Sequence, residues 1–198
     1  LANAWQEFND IDSSGFVAGD IIEIYPGNGY AETLTISGVN GASGNPVTYK
    51  AMGEIFHSAG RTVLLPESDE STTFVDDASG ASNGIFLSNS TYITVDGVQW
   101  DGWKITGFDG RGVRMENDVD NCVFQYLTIS TCAYETGSAG NYSTDGQGIY
   151  ASGSGNRVQY CRIFDNGGDS IQSRFDSTLK NFTLSRCHMF NTRRHSSN

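Results

Sequence analysis

The sequence predicts an all-β solenoid, in which short strands wind into the coils of a parallel β-helix. The first observation behind this fold class is an internal repeat. Four segments align without gaps, and each begins 26 to 34 residues after the one before: ITVDGVQW from Ile93, CVFQYLTI from Cys122, NRVQYCRI from Asn156 and FTLSRCHM from Phe182. The third, sixth and eighth positions of every segment are apolar or Cys. A fixed period of this length is typical of solenoids.

A second column of repeats precedes the first. GIFL at Gly84, GVRM at Gly112, GIYA at Gly148 and SIQS at Ser170 each place a small residue before a short alternation of inward and outward positions. Alternation is the periodicity of a strand, and no window sustains the spacing of an amphipathic helix. With turns rich in Gly, Asn, Asp and Ser between them, at least three short strands fit each period, and they form one coil.

The same pattern extends toward the N-terminus. Strands are predicted near Ile22–Ile24, Thr33–Ile36 and Val47–Ala51, and Thr62–Leu65 is predicted to open the next coil. The chain therefore holds about five to six coils.

Stacked coils bring equivalent side chains into columns along the axis, about 4.8 Å apart. Two inward columns are predicted: Val98, Leu127, Cys161 and Cys187 in one, and Trp100, Ile129, Ile163 and Met189 in the other. Because a coil cannot bury its inward face alone, both ends of the stack need a cap. Residues 1–18, with Trp5 and Phe8, are predicted to cap the N-terminal end of a β-helix that covers residues 19–192. Residues 193–198 form a polar tail without a comparable cap, which predicts a longer chain, a joint between subunits, or Arg193, Arg194 and His195 folded back over the end.

Composition excludes two classes of partner. The formal net charge is −11, with 23 acidic against 12 basic residues and no run of Lys or Arg, so nucleic acid is a poor partner. No apolar stretch approaches the roughly 20 residues that a membrane-spanning helix needs. The sequence therefore predicts neither a nucleic-acid complex nor a membrane span.

The four cysteines lack the spacing of a metal site. Cys161 and Cys187 are predicted one coil apart in the same column, at a separation that a disulfide bridges. The alternative is a pair of free thiols packed as small hydrophobic groups. Cys122 and Cys132, ten residues apart, either pair or stay free.

At this point the sequence resembles a known superfamily. The opening GDIIEIYPGNGYAETLTISG, the later GNPVTYKA and the unit around YITVDG are similar to right-handed parallel β-helix proteins of the pectate-lyase-like and alginate-lyase-like type, over roughly residues 19–192. The resemblance implies a right-handed coil and an extracellular or cell-surface protein that interacts with carbohydrate, either a polysaccharide lyase-like enzyme or a non-catalytic relative. A different class stays open, a structural or adhesive module that assembles end to end into a fibre or filament, because the predicted C-terminal coil is uncapped.

Function is expected on the outward positions. They form three rows: Phe86, Arg114, Tyr150 and Gln172; beside it Ser88, Glu116, Ser152 and Arg174; and on the last strand of each coil Gln99, Thr128, Arg162 and His188. The longest insertion, Ser130–Gly148, leads into Tyr150, and long loops on a regular scaffold often bind ligands. The candidate substrate-binding residues are Tyr134, Tyr142, Tyr150, Trp103, Arg162 and His188, unless these aromatic side chains only pack the loop onto the coil.

Two reactions on an acidic polysaccharide are considered. A lyase needs a base for the proton α to a uronate carboxylate, and neutralisation of that carboxylate. Arg114, Arg174 and Glu116 are the catalytic candidates on the predicted face, although the high pKa of arginine makes it a demanding base. A glycoside hydrolase needs two carboxylates, for which Asp165 and Asp169 are available unless they only make turns.

Calcium is a candidate cofactor. The segment ENDVDN places the side-chain oxygens of Glu116, Asp118 and Asp120 close together, as Ca²⁺ prefers, but without the spacing of an EF-hand loop.

Overall fold

The structure, a computed structural model, confirms the all-β prediction. It describes residues 8, 11, 15–24, 32–51, 55–58, 61–64, 72–75, 83–98, 102–132, 146–174 and 179–191. In chain order the strands are β1 (Ile21–Ile24), β2 (Leu34–Ser37), β3 (Val47–Ala51), β4 (Ile55–Ser58), β5 (Arg61–Leu64), β6 (Thr72–Val75), β7 (Asn83–Ser88), β8 (Ile93–Asp96), β9 (Trp103–Thr106), β10 (Arg111–Glu116), β11 (Val123–Gln125), β12 (Leu127–Ser130), β13 (Ile149–Ala151), β14 (Arg157–Gln159), β15 (Arg162–Phe164), β16 (Ile171–Ser173), β17 (Thr183–Ser185) and β18 (His188–Phe190). Within these residues, no helix is long and apolar enough to cross a membrane.

Three parallel sheets run along the axis of a solenoid. Sheet A has the order β1-β3-β8-β11-β14-β17, sheet B the order β6-β9-β12-β15-β18, and sheet C the order β2-β7-β10-β13-β16. From β6 onward the chain visits B, then C, then A, and returns to B one coil further along. Each of these strands therefore pairs with its equivalent in the neighbouring coil, as in a right-handed parallel β-helix.

The register confirms most of the predicted repeat. In sheet A, Val95, Phe124, Val158 and Leu184 occupy equivalent positions on four successive strands. In sheet B, Ile129, Ile163 and Met189 are likewise in register. The first three residues of the sheet A column and the first two of the sheet B column are fully buried. The two last segments of the repeat are therefore successive coils of one stack.

For the first aligned segment, the predicted inward residues of sheet B are wrong. Val98, predicted to point inward, is 50% exposed with a φ of 69°, and Trp103 and Ile105 pair with Leu127 and Ile129 in its place. Six residues separate β8 from β9 in the sequence, against one or two between the equivalent strands of later coils, so the inward positions shift along the chain. Trp100, predicted for the second column, lies outside the described residues.

The strand predicted near Thr62 is present, but it does not open the next coil. Residues Arg61–Leu64 pair antiparallel with Ile55–Ser58, and the first described strand of sheet B is Thr72–Val75. Two residues, Ala59 and Gly60, separate the paired strands in the sequence, and a short connection containing Gly favours a hairpin.

Steric limits explain the glycine column, which consists of Gly84, Gly112 and Gly148. A Cβ on Gly84 would come within 2.3 Å of Ile105 Cγ2, one on Gly112 within 2.2 Å of Ile129 Cγ2, and one on Gly148 within 2.4 Å of Ile163 Cγ2. Each glycine on sheet C thus lets the chain pass against a sheet B side chain. This close packing explains why the sequence places a small residue before each of these strands.

In the last three described coils, the turn from sheet A to sheet B contains one residue in the left-handed conformation. Tyr126, Tyr160 and Arg186 have φ values of 58°, 56° and 53°. Such backbone is costly for residues other than glycine, and it recurs here where the rings of Tyr126 and Tyr160 stack at 5.0 Å. The stacking offsets part of the cost of the tight corner.

The ends of the described stack differ. Phe8 is 5% exposed and belongs to the hydrophobic core, whereas Trp5 lies outside the described residues. In the last described coil, Leu184 and Met189 hold inward positions but are 40% and 44% exposed. The division of the chain into cap, helix and tail, the number of coils and assembly end to end stay predictions.

Candidate functional site

The outward row of sheet C lies where the sequence predicts it. Five residues are in register on β2, β7, β10, β13 and β16: Thr35, Phe86, Arg114, Tyr150 and Gln172. Their side chains point away from the core because their neighbours on each strand point in. The row therefore places two aromatic rings on either side of an arginine, each one coil away from it, or about 4.8 Å.

Arg114 is held by an ion pair on its own strand. Its Nε donates to Oε1 of Glu116 at 2.8 Å, and its Nη2 contacts the same oxygen. The guanidinium carbon also lies 5.7 Å from the centre of the Phe86 ring. Both charged side chains are partly exposed, at 31% and 22%. Since one carboxylate oxygen takes both contacts, part of the guanidinium stays accessible to a ligand.

A second arginine, Arg111, contributes to this face and is not among the residues that the sequence predicts. Its guanidinium carbon lies 4.4 Å from the centre of the Tyr150 ring on the next coil. Its Nε donates to Oε1 of Gln147, a residue that is only 2% exposed, at 2.9 Å. The available signal was its position directly before Gly112, at the start of a repeated strand. Sheet C thus carries two arginines beside two aromatic rings.

The structure places Arg174 at the edge of this row. Its backbone N donates to the carbonyl of Ala151, which continues the pairing of sheet C by one residue. Its Nη1 lies 3.4 Å from Oδ1 of Asn117, just beyond the end of β10. Glu116 pairs with Ser88 across β7 and β10. Arg114, Glu116, Tyr150 and Arg174 therefore share one face.

The other predicted basic residues lie on a different face. Arg162 and His188 are in register with Thr128 on sheet B. The residue paired with Thr128 on β9 is Lys104, whereas Gln99, which was predicted there, lies outside the described residues. The predicted substrate-binding residues are thus divided between sheets B and C.

Trp103 cannot bind substrate as predicted. Its side chain is fully buried at the start of β9, paired with the inward residue Leu127. A ring in the core offers no face to a sugar. Tyr134 and Tyr142 lie outside the described residues, and their assignment stays a prediction.

The predicted calcium ligands are not gathered into a cluster. Glu116 is paired with Arg114, and Oδ1 of Asp120 accepts a hydrogen bond from the backbone N of Ser154 at 2.6 Å. Among the residues that the structure describes, no group of three or more His, Cys, Asp and Glu side chains could hold a metal ion. Glu116, Asp118 and Asp120 therefore do not combine into a site, and calcium binding stays a prediction.

All four cysteines are free thiols in the structure. Burial raises the pKa of Cys122 and of Cys132 to about 12. Cys161 and Cys187 lie one coil apart and their thiols hydrogen-bond to each other, which raises the pKa of the buried Cys161 thiol and lowers that of the more exposed Cys187 thiol. The two side chains are adjacent, as predicted, without a disulfide bond.

Comparison with known proteins agrees with this architecture. The family described as right handed beta helix region matches residues 63–197, so the chain belongs to that family. Among solved structures, an alginate lyase from Paenibacillus sp. str. FPU-7 superposes with a TM-score of 0.61 at 14% sequence identity. The match covers 87% of this chain and 52% of that one, so the chain spans about half the length of the lyase. No curated protein matches the sequence.

Proposed function

We propose that the protein binds an acidic polysaccharide along the outer face of sheet C, as a polysaccharide lyase-like protein that acts outside the cell or at its surface. The observation that carries this proposal is the row Phe86, Arg114 and Tyr150, in which a cationic side chain lies between two aromatic rings on successive coils. Aromatic faces stack on sugar rings, and a guanidinium binds carboxylate through two parallel hydrogen bonds. The fold shared with an alginate lyase supports the same class of ligand.

Charge favours an anionic ligand at this position despite the acidic composition of the chain. The net charge is −11, yet Arg111, Arg114 and Arg174 lie on or beside sheet C with Glu116 as a counter-charge. Glu116 holds the Arg114 guanidinium in place, and Arg111 and Arg174 bring two further guanidinium groups to the same face. A uronate carboxylate would bind next to these arginines, and its neutralisation acidifies the α proton, as lyase chemistry requires.

The side chains on this face suit two different roles, carboxylate binding and proton transfer. Arg114, Arg111 and Arg174 suit carboxylate binding, since an arginine base would need an exceptionally lowered pKa. Glu116, and the phenol of Tyr150, are the groups on the face that can accept or donate a proton. We therefore assign carboxylate binding to the arginines and any proton transfer to Glu116 or Tyr150.

The test compares two double variants. Arg114→Gln with Arg174→Gln removes charge from sheet C, and Arg157→Gln with Lys180→Gln removes the same charge elsewhere, because both control residues are exposed and Arg157 is on sheet A. Binding of alginate is measured by isothermal titration calorimetry, and cleavage by the absorbance of the unsaturated uronate product. We expect at least a tenfold loss of affinity in the first variant and little change in the second, with both folded by circular dichroism.

Two results separate binding from catalysis. Binding without product in the unsubstituted protein would make it a non-catalytic carbohydrate-binding relative. Absence of binding to alginate and to polygalacturonate in the unsubstituted protein would refute the proposed function.

A further inference from the structure

Sheet B differs from the other two faces in the sign of its outward charges. Its outward positions on β9, β12, β15 and β18 form two rows: Lys104, Thr128, Arg162 and His188; and Thr106, Ser130, Phe164 and Phe190. The charged or chargeable side chains in these rows are all basic. No Asp or Glu occupies an outward position on these four strands.

The outward faces of sheets A and C carry both signs. On sheet A, Lys50 Nζ lies 2.8 Å from Glu23 Oε1, and Asp96 is in register with Lys50 on the next strand. On sheet C, Arg114 is paired with Glu116. In a chain with a net charge of −11, four strands whose outward charged positions are all basic therefore form a distinct surface.

An aromatic stack lies beside the basic row. The rings of Phe164 and Phe190 are parallel within 3°, with their centres 4.8 Å apart. Both rings hold outward positions, on β15 and β18. Flat apolar rings next to cations match the two chemical faces of a uronic or sulfated sugar, whose C–H groups stack and whose anionic groups pair with charge.

We propose that the outer face of sheet B is a second binding surface for an anionic polysaccharide, separate from sheet C. Lys104, Arg162 and His188 hold the carboxylate or sulfate groups, and Phe190 stacks on a sugar ring. The inference shares its class of ligand with the proposed function but does not depend on binding at sheet C.

The geometry suits a polymer that lies along the axis. Lys104 and Arg162 are two coils apart, or about 10 Å, and His188 follows one coil later. Lys104 and Arg162 hold outward positions in one row, so an anionic chain that lies over the row passes both side chains. Such contacts are partly exposed, so salt weakens them.

The test uses the double variant Lys104→Gln with Arg162→Gln, and Arg157→Gln with Lys180→Gln as the control of equal charge. The probe is long-chain alginate in affinity gel electrophoresis at low salt. We expect the sheet B variant to lose at least tenfold in affinity, and the control to lose less than threefold. Equal losses in the two variants would overturn the proposal, because the effect would then reflect net charge alone.

A third variant, Arg114→Gln with Arg174→Gln, separates the two faces. If sheet B binds independently, this variant still binds alginate, whether or not sheet C has a function. Adding Lys104→Gln and Arg162→Gln to this variant then abolishes the binding. If adding the sheet B changes has no effect in either background, the second surface does not exist. Dextran sulfate distinguishes sulfate from carboxylate as the preferred group, and tighter binding to single-stranded DNA than to either polysaccharide would overturn the proposal.

Discussion

The guanidinium carbon of Arg111 lies 4.4 Å from the centre of the Tyr150 ring, which comes from the next coil of the solenoid. The contact joins two strands that are far apart in the sequence, β10 and β13, and orients the ring on the outer face of sheet C. A cation over an aromatic face contributes roughly 0.5–1 kcal/mol at a partly exposed site. The ring is thus held in place before any ligand arrives.

Tyr150 should matter to binding through its ring. We expect Tyr150→Ala to weaken alginate binding about tenfold, because both the stacking face and the support for Arg111 are lost. Tyr150→Phe keeps the ring and should bind as the unsubstituted protein does, while any lyase activity that uses the phenol disappears. Titration calorimetry and product absorbance measure the two properties separately, and equal affinity of all three proteins would remove Tyr150 from the site.

The glycine column should be intolerant of side chains. A Cβ at residue 112 would lie 2.2 Å from Ile129 Cγ2 and 2.7 Å from the Gly148 carbonyl oxygen. We expect Gly112→Ala to reduce the free energy of unfolding by about 1–3 kcal/mol, as overpacked cores do. Gly15→Ala is the control, since nothing lies within 4 Å of its Cβ position. Urea denaturation measures both, and equal stabilities would contradict the packing described for sheets B and C.

Buried thiols should make the fold sensitive to high pH. Burial raises the pKa of Cys122 and Cys132 from 9.0 to about 12. At pH values between these two, the unfolded chain loses thiol protons that the folded chain retains, so stability is complete below pH 9 and falls toward pH 12. Burial also raises the pKa of Tyr49, which acts in the same direction. We expect Cys122→Ala with Cys132→Ala to flatten the fall in unfolding free energy, and an unchanged slope would show that the thiols do not carry it.

The adjacent thiols of Cys161 and Cys187 should form a disulfide under oxidising conditions. Glutathione disulfide would accept the two electrons and two protons by thiol exchange, starting from the more exposed Cys187 thiolate. The bond closes a loop of 26 residues and should stabilise the fold by roughly 3 kcal/mol. Mass spectrometry of the peptides and urea denaturation test this, with Cys187→Ala as a control that gains no stability. A mixed glutathione adduct without an internal bond would show that the geometry does not permit closure.

The sequence contained enough information for the register of the later coils. Val158 and Leu184 were aligned from the repeat alone, and they are in register. The outward row with Arg114 and Tyr150 followed from the same alternation. Both succeeded because a strand repeats every two residues, and a packed column tolerates no slip without moving polar residues into the core.

The errors share a physical cause. The repeat does not fix the number of residues between the sheet A strand and the sheet B strand, so Val98 and Trp100 fit the inward positions as well as Trp103 and Ile105 do, five residues further along. The longer corner after β8 moved the inward positions to Trp103, which was expected to bind sugar and is instead buried. Arg111 was missed because its importance depends on a contact with the next coil. Contacts across a corner or between coils have no local signal in the sequence.

The central claim is that sheet C binds an acidic polysaccharide through Arg114 between the rings of Phe86 and Tyr150. A crystal structure of the protein with a saturating concentration of an alginate oligosaccharide tests it most directly. We predict a sugar ring against Tyr150 or Phe86, with its carboxylate within hydrogen-bonding distance of the Arg114 guanidinium. A saturated complex in which sheet C carries no sugar would contradict the account.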